Sequence, residues 1–494
     1  MTRLGPQHLA ALPPDVARPR YDRGRVSTGI VHIGLGAFHR AHQAVYTDDV
    51  LARDGGGSWG ICGVCPRHAA VRDALAPQDG LYTAVERDAA GDRLRVVGAL
   101  TEVLVAPEDP PAAVARLADP AVRIVSLTVT EKGYSRGPDG GLDEGHPDLA
   151  HDLNHPARPR SAIGLVAEGL ARRRGAGVAP FTVLCCDNLP RNGDTVRRLV
   201  LAFAGARDPA LARWIGDAVA FPNTMVDRIV PATTDADRAA VADRLGLTDA
   251  WPVVCEPFRQ WVVEDRFPAG RPAWHAAGAE LVADVAPYEA MKLRLLNASH
   301  SALAYLGALV GFETIAEAVA DPDLHGFVAA LMAEEAAPTL AAPPGTDLAA
   351  YRASVLRRFA NPALGHRTAQ VAMDGSQKLP VRLLGTVRDR VAAGAPCRRL
   401  ALAVAAWMRY VAGSDGPGRS EDLRDPLAGR LRAAAASAGP DPDRLARALL
   451  SVRAVFGDDL PRARPFVTAV IDGLRSLDRL GARAAAAACT AGRK

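Results

Sequence analysis

Short runs of β-branched and apolar residues alternate with segments of helical period through the first half of the chain, the pattern of a parallel sheet covered by helices on both faces. The strand candidates are GIVHIGLG (29–36), WGICGVC (59–65), RIVSLTVT (123–130) and FTVLCCD (181–187). Between them, AHQAVYTDDVLA (41–52) and SAIGLVAEGLARRR (161–174) carry helical spacing, the second with Ser161 positioned to cap its first turn. From about Pro287 the pattern changes to long Ala-, Leu- and Arg-rich helical segments broken by Pro, Gly and Asp. The expectation is an α/β chain, with a doubly wound sheet domain over 1–286 and a mostly α-helical domain over 287–494, Pro287 opening a long helix.

Composition narrows the function classes. A chain of 494 residues, 49% hydrophobic and 23% charged, has enough apolar material for two cores. Its formal net charge of +4 is small and the basic residues are interspersed with acidic ones, which argues against nucleic acid as a partner. No apolar stretch has the length of a membrane span, and the opening MTRLGPQHLAALPPDVARPR lacks the apolar core of a signal peptide, so a cytoplasmic protein is expected. Seven cysteines, an odd number, fit a reducing compartment. Cys62 and Cys65 form a CxxC, but no second pair completes a zinc site, and both lie in a strand-like apolar run as structural cysteines would.

Two segments carry chemistry. In VHIGLGAFHRAH, Gly34 and Gly36 follow a strand directly, where a tight turn brings backbone N–H groups to a pyrophosphate, as in a Rossmann-like nucleotide site. The third glycine of that fingerprint is replaced by His39. After the second strand, where NAD enzymes carry an acid for the ribose hydroxyls, stand Arg67 and His68. Arg67 suits a 2′-phosphate, and so NADP, or stacking beside adenine.

The second segment, PYEAMKLRLLNASHSALAYLG, holds Glu289, Lys292, Asn297 and His300. On a regular helix at about 100° per residue, with Lys292 at zero, Glu289 falls near about 60°, His300 near about 80° and Asn297 near about 140°. These four polar groups then share one face of an otherwise apolar helix, and burying them is costly unless chemistry retains them; a solvated face is the alternative. Oxidising a secondary alcohol needs a base, which Lys292 supplies if burial or neighbouring charge lowers its pKa from about 10.4, and donors for the alkoxide. Asn297 offers an amide N–H and His300 a neutral imidazole. Asn188, in FTVLCCDNLPRNG, ends a strand at the edge that open sheets use for ligands, although DN before Leu-Pro also reads as a turn. Asp227 and Arg228, in FPNTMVDRIVP, belong either to the same region or to a structural ion pair.

Taken together, GLGAFHRAHQAVYTDD, WGICGV, TVTEKGY, CDNLPRNG, FPNTMVDRIVP, KLRLLNASHSALAYLG and NPALGHRTAQVAMDGSQKLPVR resemble the mannitol dehydrogenase family, the polyol-specific long-chain dehydrogenases, over most of the chain. The resemblance implies a metal-independent enzyme using NAD, with NADP left open by Arg67. It implies Lys292 as general base, Asn188 and Asn297 as the oxyanion pocket, His300 as a substrate ligand, Glu289 on a proton path to Lys292, and Asp227 and Lys378 at the substrate. It likewise puts Ala37, Phe38, Thr130 and Glu131 at the cofactor. TEKGY and HRTAQVAMDGSQKLPVR are closer to the fructuronate reductase (mannonate oxidoreductase) branch, which implies a sugar acid whose carboxylate meets Arg367, Lys378 or Arg382, unless these are surface charges. The alternatives are a mannitol 2-dehydrogenase, an arabinitol 4-dehydrogenase or, outside this class, a nucleotide-binding sensor without turnover. The expected partner is a small sugar acid or polyol, bound by a monomer or weak homo-oligomer.

Overall fold

The computed structural model describes residues 2–137, 140–413 and 423–491, which form two compact units, Met1–Ala286 and Pro287–Lys494. The strands of the first unit are, in chain order, β1 (Val26–Ile33), β2 (Gly57–Cys65), β3 (Tyr82–Asp88), β4 (Gly91–Val97), β5 (Leu100–Val105), β6 (Ile124–Leu127), β7 (Thr182–Cys185), β8 (Thr224–Asp227), β9 (Val253–Cys255), β10 (Gln260–Glu264) and β11 (Glu280–Val282). A five-stranded sheet of order β5-β2-β1-β6-β7 is parallel throughout. The chain builds outward from β1 to β5, then returns to the other side of β1 with β6. That reversal opens a crevice at the carboxyl ends of β1 and β6, where doubly wound sheets hold ligands.

Both faces of the sheet are covered. Helices Pro110–Ala118 and Ala162–Gly175 bring Val114, Leu117, Val166 and Leu170 against Val31, Ile33 and Val64 on one face. Helix Gln43–Asp54 brings Val45, Tyr46 and Leu51 against Ile30 and Ile61 on the other. Ser161 caps its helix by accepting the Gly164 N–H at 2.9 Å, a bond worth about 1 kcal/mol. Two further three-stranded sheets, β4-β3-β9 and β11-β10-β8, complete the unit.

Helices dominate the second unit. Ala298–Val310, Arg398–Ala412 and Arg464–Leu480 pack together and bury Leu303, Trp407 and Phe466. Among the described residues, no helix is long and apolar enough to cross a membrane. Cys62 and Cys65 are free and buried in β2, and burial pushes both thiols up, that of Cys65 to about 11, which disfavours the thiolate that zinc or redox chemistry needs.

Candidate active site

The glycine turn closes the carboxyl end of β1. Gly34 has φ of 95°, and a Cβ there would lie 2.2 Å from the Thr128 carbonyl oxygen, so close approach of β1 and β6 requires glycine. Gly36 differs: a Cβ there would meet nothing nearer than 3.8 Å, so the protein's own packing does not demand glycine and the space left open is that of a ligand cradle. This is the fit expected for a dinucleotide phosphate. The turn opens on a cleft of about 890 Å³, within the usual size of a cofactor site, lined by Gly34, Gly36, Arg67, Thr128, Thr130 and Arg158 among others.

Buried polar groups fix this edge. His32 bridges β1 to β6 through Ser126 Oγ and Thr128 Oγ1, both at 2.8 Å, and burial lowers its pKa to about 3. Asp187, just beyond β7, accepts the Tyr134 hydroxyl at 2.6 Å and the N–H groups of Val129 and Thr130 at 2.9 and 3.1 Å. Those bonds hold Thr130 at φ of 64°, a conformation that a β-branched residue keeps only when its surroundings impose it. Burial raises the Asp187 carboxyl to about 6. Asn188 follows at the exposed carboxyl edge of β7, and the side chain of Asn192 ties that loop to Thr224 of β8.

Several expected cofactor residues are arranged otherwise. The helix after the glycines is a five-residue piece, Ala37–Ala41, broken at His42 before Gln43–Asp54 begins. Ala37 and Phe38 pack partly buried against the apolar cluster that holds Val45 and Tyr46, and Phe38 stacks on His42 at 5.0 Å, so neither lines the cleft. Glu131 is exposed and outside the cleft lining, whereas its neighbour Thr130 is within it. Asp227 is 3% exposed at the end of β8. Arg228 is structural: its guanidinium donates to the carbonyls of Ala41 and Glu256 and to Glu86.

In the helical unit, Lys292, Asn297 and His300 are 5%, 5% and 8% exposed, and Glu289 is half-buried. Their backbone is not a regular α-helix. Lys292–Asn297 forms a π turn, with the Ala298 N–H donating to Leu293 five residues back, so the uniform spacing of 100° per residue does not carry through the segment. A second π turn, Pro380–Leu384, packs on the first and carries Arg382. Here the cause is local, because Pro380 has no N–H for an α-helical bond.

His300 is the centre of this cluster. Burial first, then the charges of His366, Arg382, Lys378 and Arg358, holds its imidazole well below the usual histidine pKa. Its ring stacks on Phe359 at 4.8 Å and meets His366 edge-on at 4.9 Å. Nε2 of His300 and Nδ1 of His366 are buried without hydrogen-bond partners among the described residues, a cost that a polar ligand relieves. Arg382 donates to Ser301 Oγ at 3.2 Å and Lys378 Nζ to the Val371 carbonyl at 3.1 Å. Arg367 is not part of the cluster: it is exposed and pairs with Glu313 at 3.4 Å. Sequence reasoning does not single out His366 or Arg358, although His366 lies one residue before Arg367 in NPALGHRTAQ.

A glycine-turn cleft on a doubly wound sheet, with a buried lysine, amide and imidazole on a helical unit, defines the class of two-domain α/β oxidoreductases. Residues 28–276 match the model of the mannitol dehydrogenase Rossmann domain, and residues 284–478 that of the mannitol dehydrogenase C-terminal domain. The chain belongs to the mannitol dehydrogenase family. It is 48% identical to the D-mannonate oxidoreductase of Escherichia coli (strain K12), covering 96% of this chain and 98% of that one. It is 43% identical to a mannitol 2-dehydrogenase of Phaeosphaeria nodorum, covering 98% of this chain and 84% of that one. Among solved structures, Pseudomonas fluorescens mannitol 2-dehydrogenase, in ternary complex with NAD and D-mannitol, superposes with a TM-score of 0.92 at 41% identity, covering 98% and 99% of the two chains.

Proposed function

We propose that this protein is a fructuronate reductase, interconverting D-mannonate and D-fructuronate with NAD(H), as a cytoplasmic monomer or weak homo-oligomer. The observation that carries the reading is the cationic surround of His300: Lys378, Arg382 and Arg358 converge on a buried imidazole with an unpartnered nitrogen. A neutral hexitol has no use for that much positive charge, whereas a hexuronate carboxylate meets it with charge-assisted hydrogen bonds. The 48% identity to a D-mannonate oxidoreductase over nearly the full chain supports it.

In the direction of oxidation, the Lys292 amine takes the proton of the substrate hydroxyl, and Glu289, three residues earlier, relays it outward. Asn297 donates an amide N–H to the developing alkoxide, with Asn188 proposed as a second donor. His300, uncharged, hydrogen-bonds a neighbouring hydroxyl, Asp227 contacts the polyol chain, and Lys378 and Arg382 receive the carboxylate. Bound nicotinamide supplies the hydride acceptor. The residues that would hold the cofactor are Gly34, Gly36, Arg67 and Thr130, which line the cleft.

A second reading, mannitol 2-dehydrogenase, is favoured by the likeness to the Pseudomonas fluorescens enzyme. Initial rates of NADH oxidation with fructuronate and with fructose discriminate the two. Fructuronate is expected to give the higher kcat/KM by at least about a hundredfold, as a charge-assisted contact to the carboxylate implies; a preference for fructose would replace the first reading with the second.

A further inference from the structure

The cleft carries more positive charge than NAD requires. A dinucleotide fold normally has a carboxylate after its second strand to accept the 2′- and 3′-hydroxyls of the adenosine ribose. Here β2 ends at Cys65 and the chain continues along the cleft wall as Pro66, Arg67 and His68. From a different segment, Arg158 and Arg160 line the same cleft, in which Asp148 is the one lining carboxylate. None of the three guanidinium groups makes a hydrogen bond or ion pair with a described residue, and the hydroxyl of Ser161, which follows Arg160, is already engaged as a helix cap. The pyrophosphate is served by backbone at the glycine turn, so these side chains are left for a further anion. A guanidinium fork matches phosphate in shape and charge, and it disfavours nothing about a bare ribose.

We propose that Arg67, with Arg158 and Arg160, forms a subsite for the 2′-phosphate of adenosine, so that the cleft takes NADP(H) as well as NAD(H). This rests on reading the cleft as the dinucleotide site. It is separate from the choice of sugar, which belongs to the helical unit's cationic cluster.

Equilibrium titration of the full-length protein, followed by intrinsic tryptophan fluorescence, tests the subsite without turnover. NADPH is expected to bind within about tenfold of NADH, and adenosine 2′,5′-bisphosphate at least about tenfold tighter than adenosine 5′-phosphate, the factor that one charge-assisted phosphate contact supplies. Arg67→Ala should weaken NADPH by at least about tenfold more than it weakens NADH, with Arg67→Lys recovering part of that difference. Raising ionic strength should weaken the bisphosphate more than the monophosphate. The subsite is overturned if NADH binds normally while the bisphosphate gains nothing over the monophosphate, or if Arg67→Ala weakens both dinucleotides equally. Failure of both dinucleotides to bind would instead overturn the reading of the cleft itself.

Discussion

His300 stays uncharged because it is buried among groups that are themselves positive, and each of those neighbours makes a second positive charge dearer. A neutral imidazole suits the hydrogen-bonding role proposed for it and not that of an acid. Arg382 and Lys378 have the opposite assignment in the proposed function, where their charge is the property that a substrate carboxylate reads. Replacing Arg382 with Ala should raise KM for fructuronate by about 10- to 100-fold while changing the rate with fructose little, measured by paired steady-state assays. An equal loss on both sugars would assign Arg382 to holding Ser301 and the helix rather than to substrate. Lys292, Asn297 and His300 were legible in sequence because three polar groups interrupt an apolar helix, and their burial follows that pattern. Arg367 and His366 were not separable, since adjacent residues face different ways and only the fold decides which one turns inward.

At the scale of elements, the alternation of strands and helices was readable from period and turn chemistry, including β1, β2, β6 and β7. The β3–β4 hairpin was not singled out, and the π turns Lys292–Asn297 and Pro380–Leu384 leave no period of their own in sequence. KLRLLN contains no proline or glycine to announce a π turn, although Pro380 gives a physical cause for the second one. The glycine turn makes a contrasting pair of predictions. Gly34→Ala forces a Cβ into the Thr128 carbonyl from a positive φ, so a loss of about 2 kcal/mol or more is expected in denaturant unfolding. Gly36→Ala brings its Cβ no nearer than 3.8 Å to any atom, so its melting temperature should match the wild type while NADH affinity falls by about tenfold or more. Equal stability losses in the two variants would show that Gly36 serves packing and not a ligand.

Over the whole molecule, among the described residues, four buried imidazoles and the half-buried His366 are held neutral: His32 and His42 with pKa lowered to about 3, His366 to about 4, and His39 and His300 well below the ordinary value. A depressed pKa contributes stability that is present above the unfolded value of about 6.5 and is lost as pH falls below it. Asp187 has the reverse sign, because its raised carboxyl favours the fold below about pH 4 and loses that contribution as pH rises through about 6. Five groups outweigh the two carboxyls that burial raises, Asp187 and Glu335, so stability should fall by about 1 kcal/mol per histidine by about pH 5.5; a melting temperature unchanged from pH 7 to 5 would contradict that sum. In the proposed mechanism the reaction depends on proton transfer to the buried Lys292 amine. It is tested most directly by kcat for mannonate oxidation in Lys292→Ala beside the wild type, with circular dichroism melts of both. A fall of about 10²- to 10⁴-fold at unchanged melting temperature, partly restored by added methylamine, is expected; a near-normal rate would contradict it.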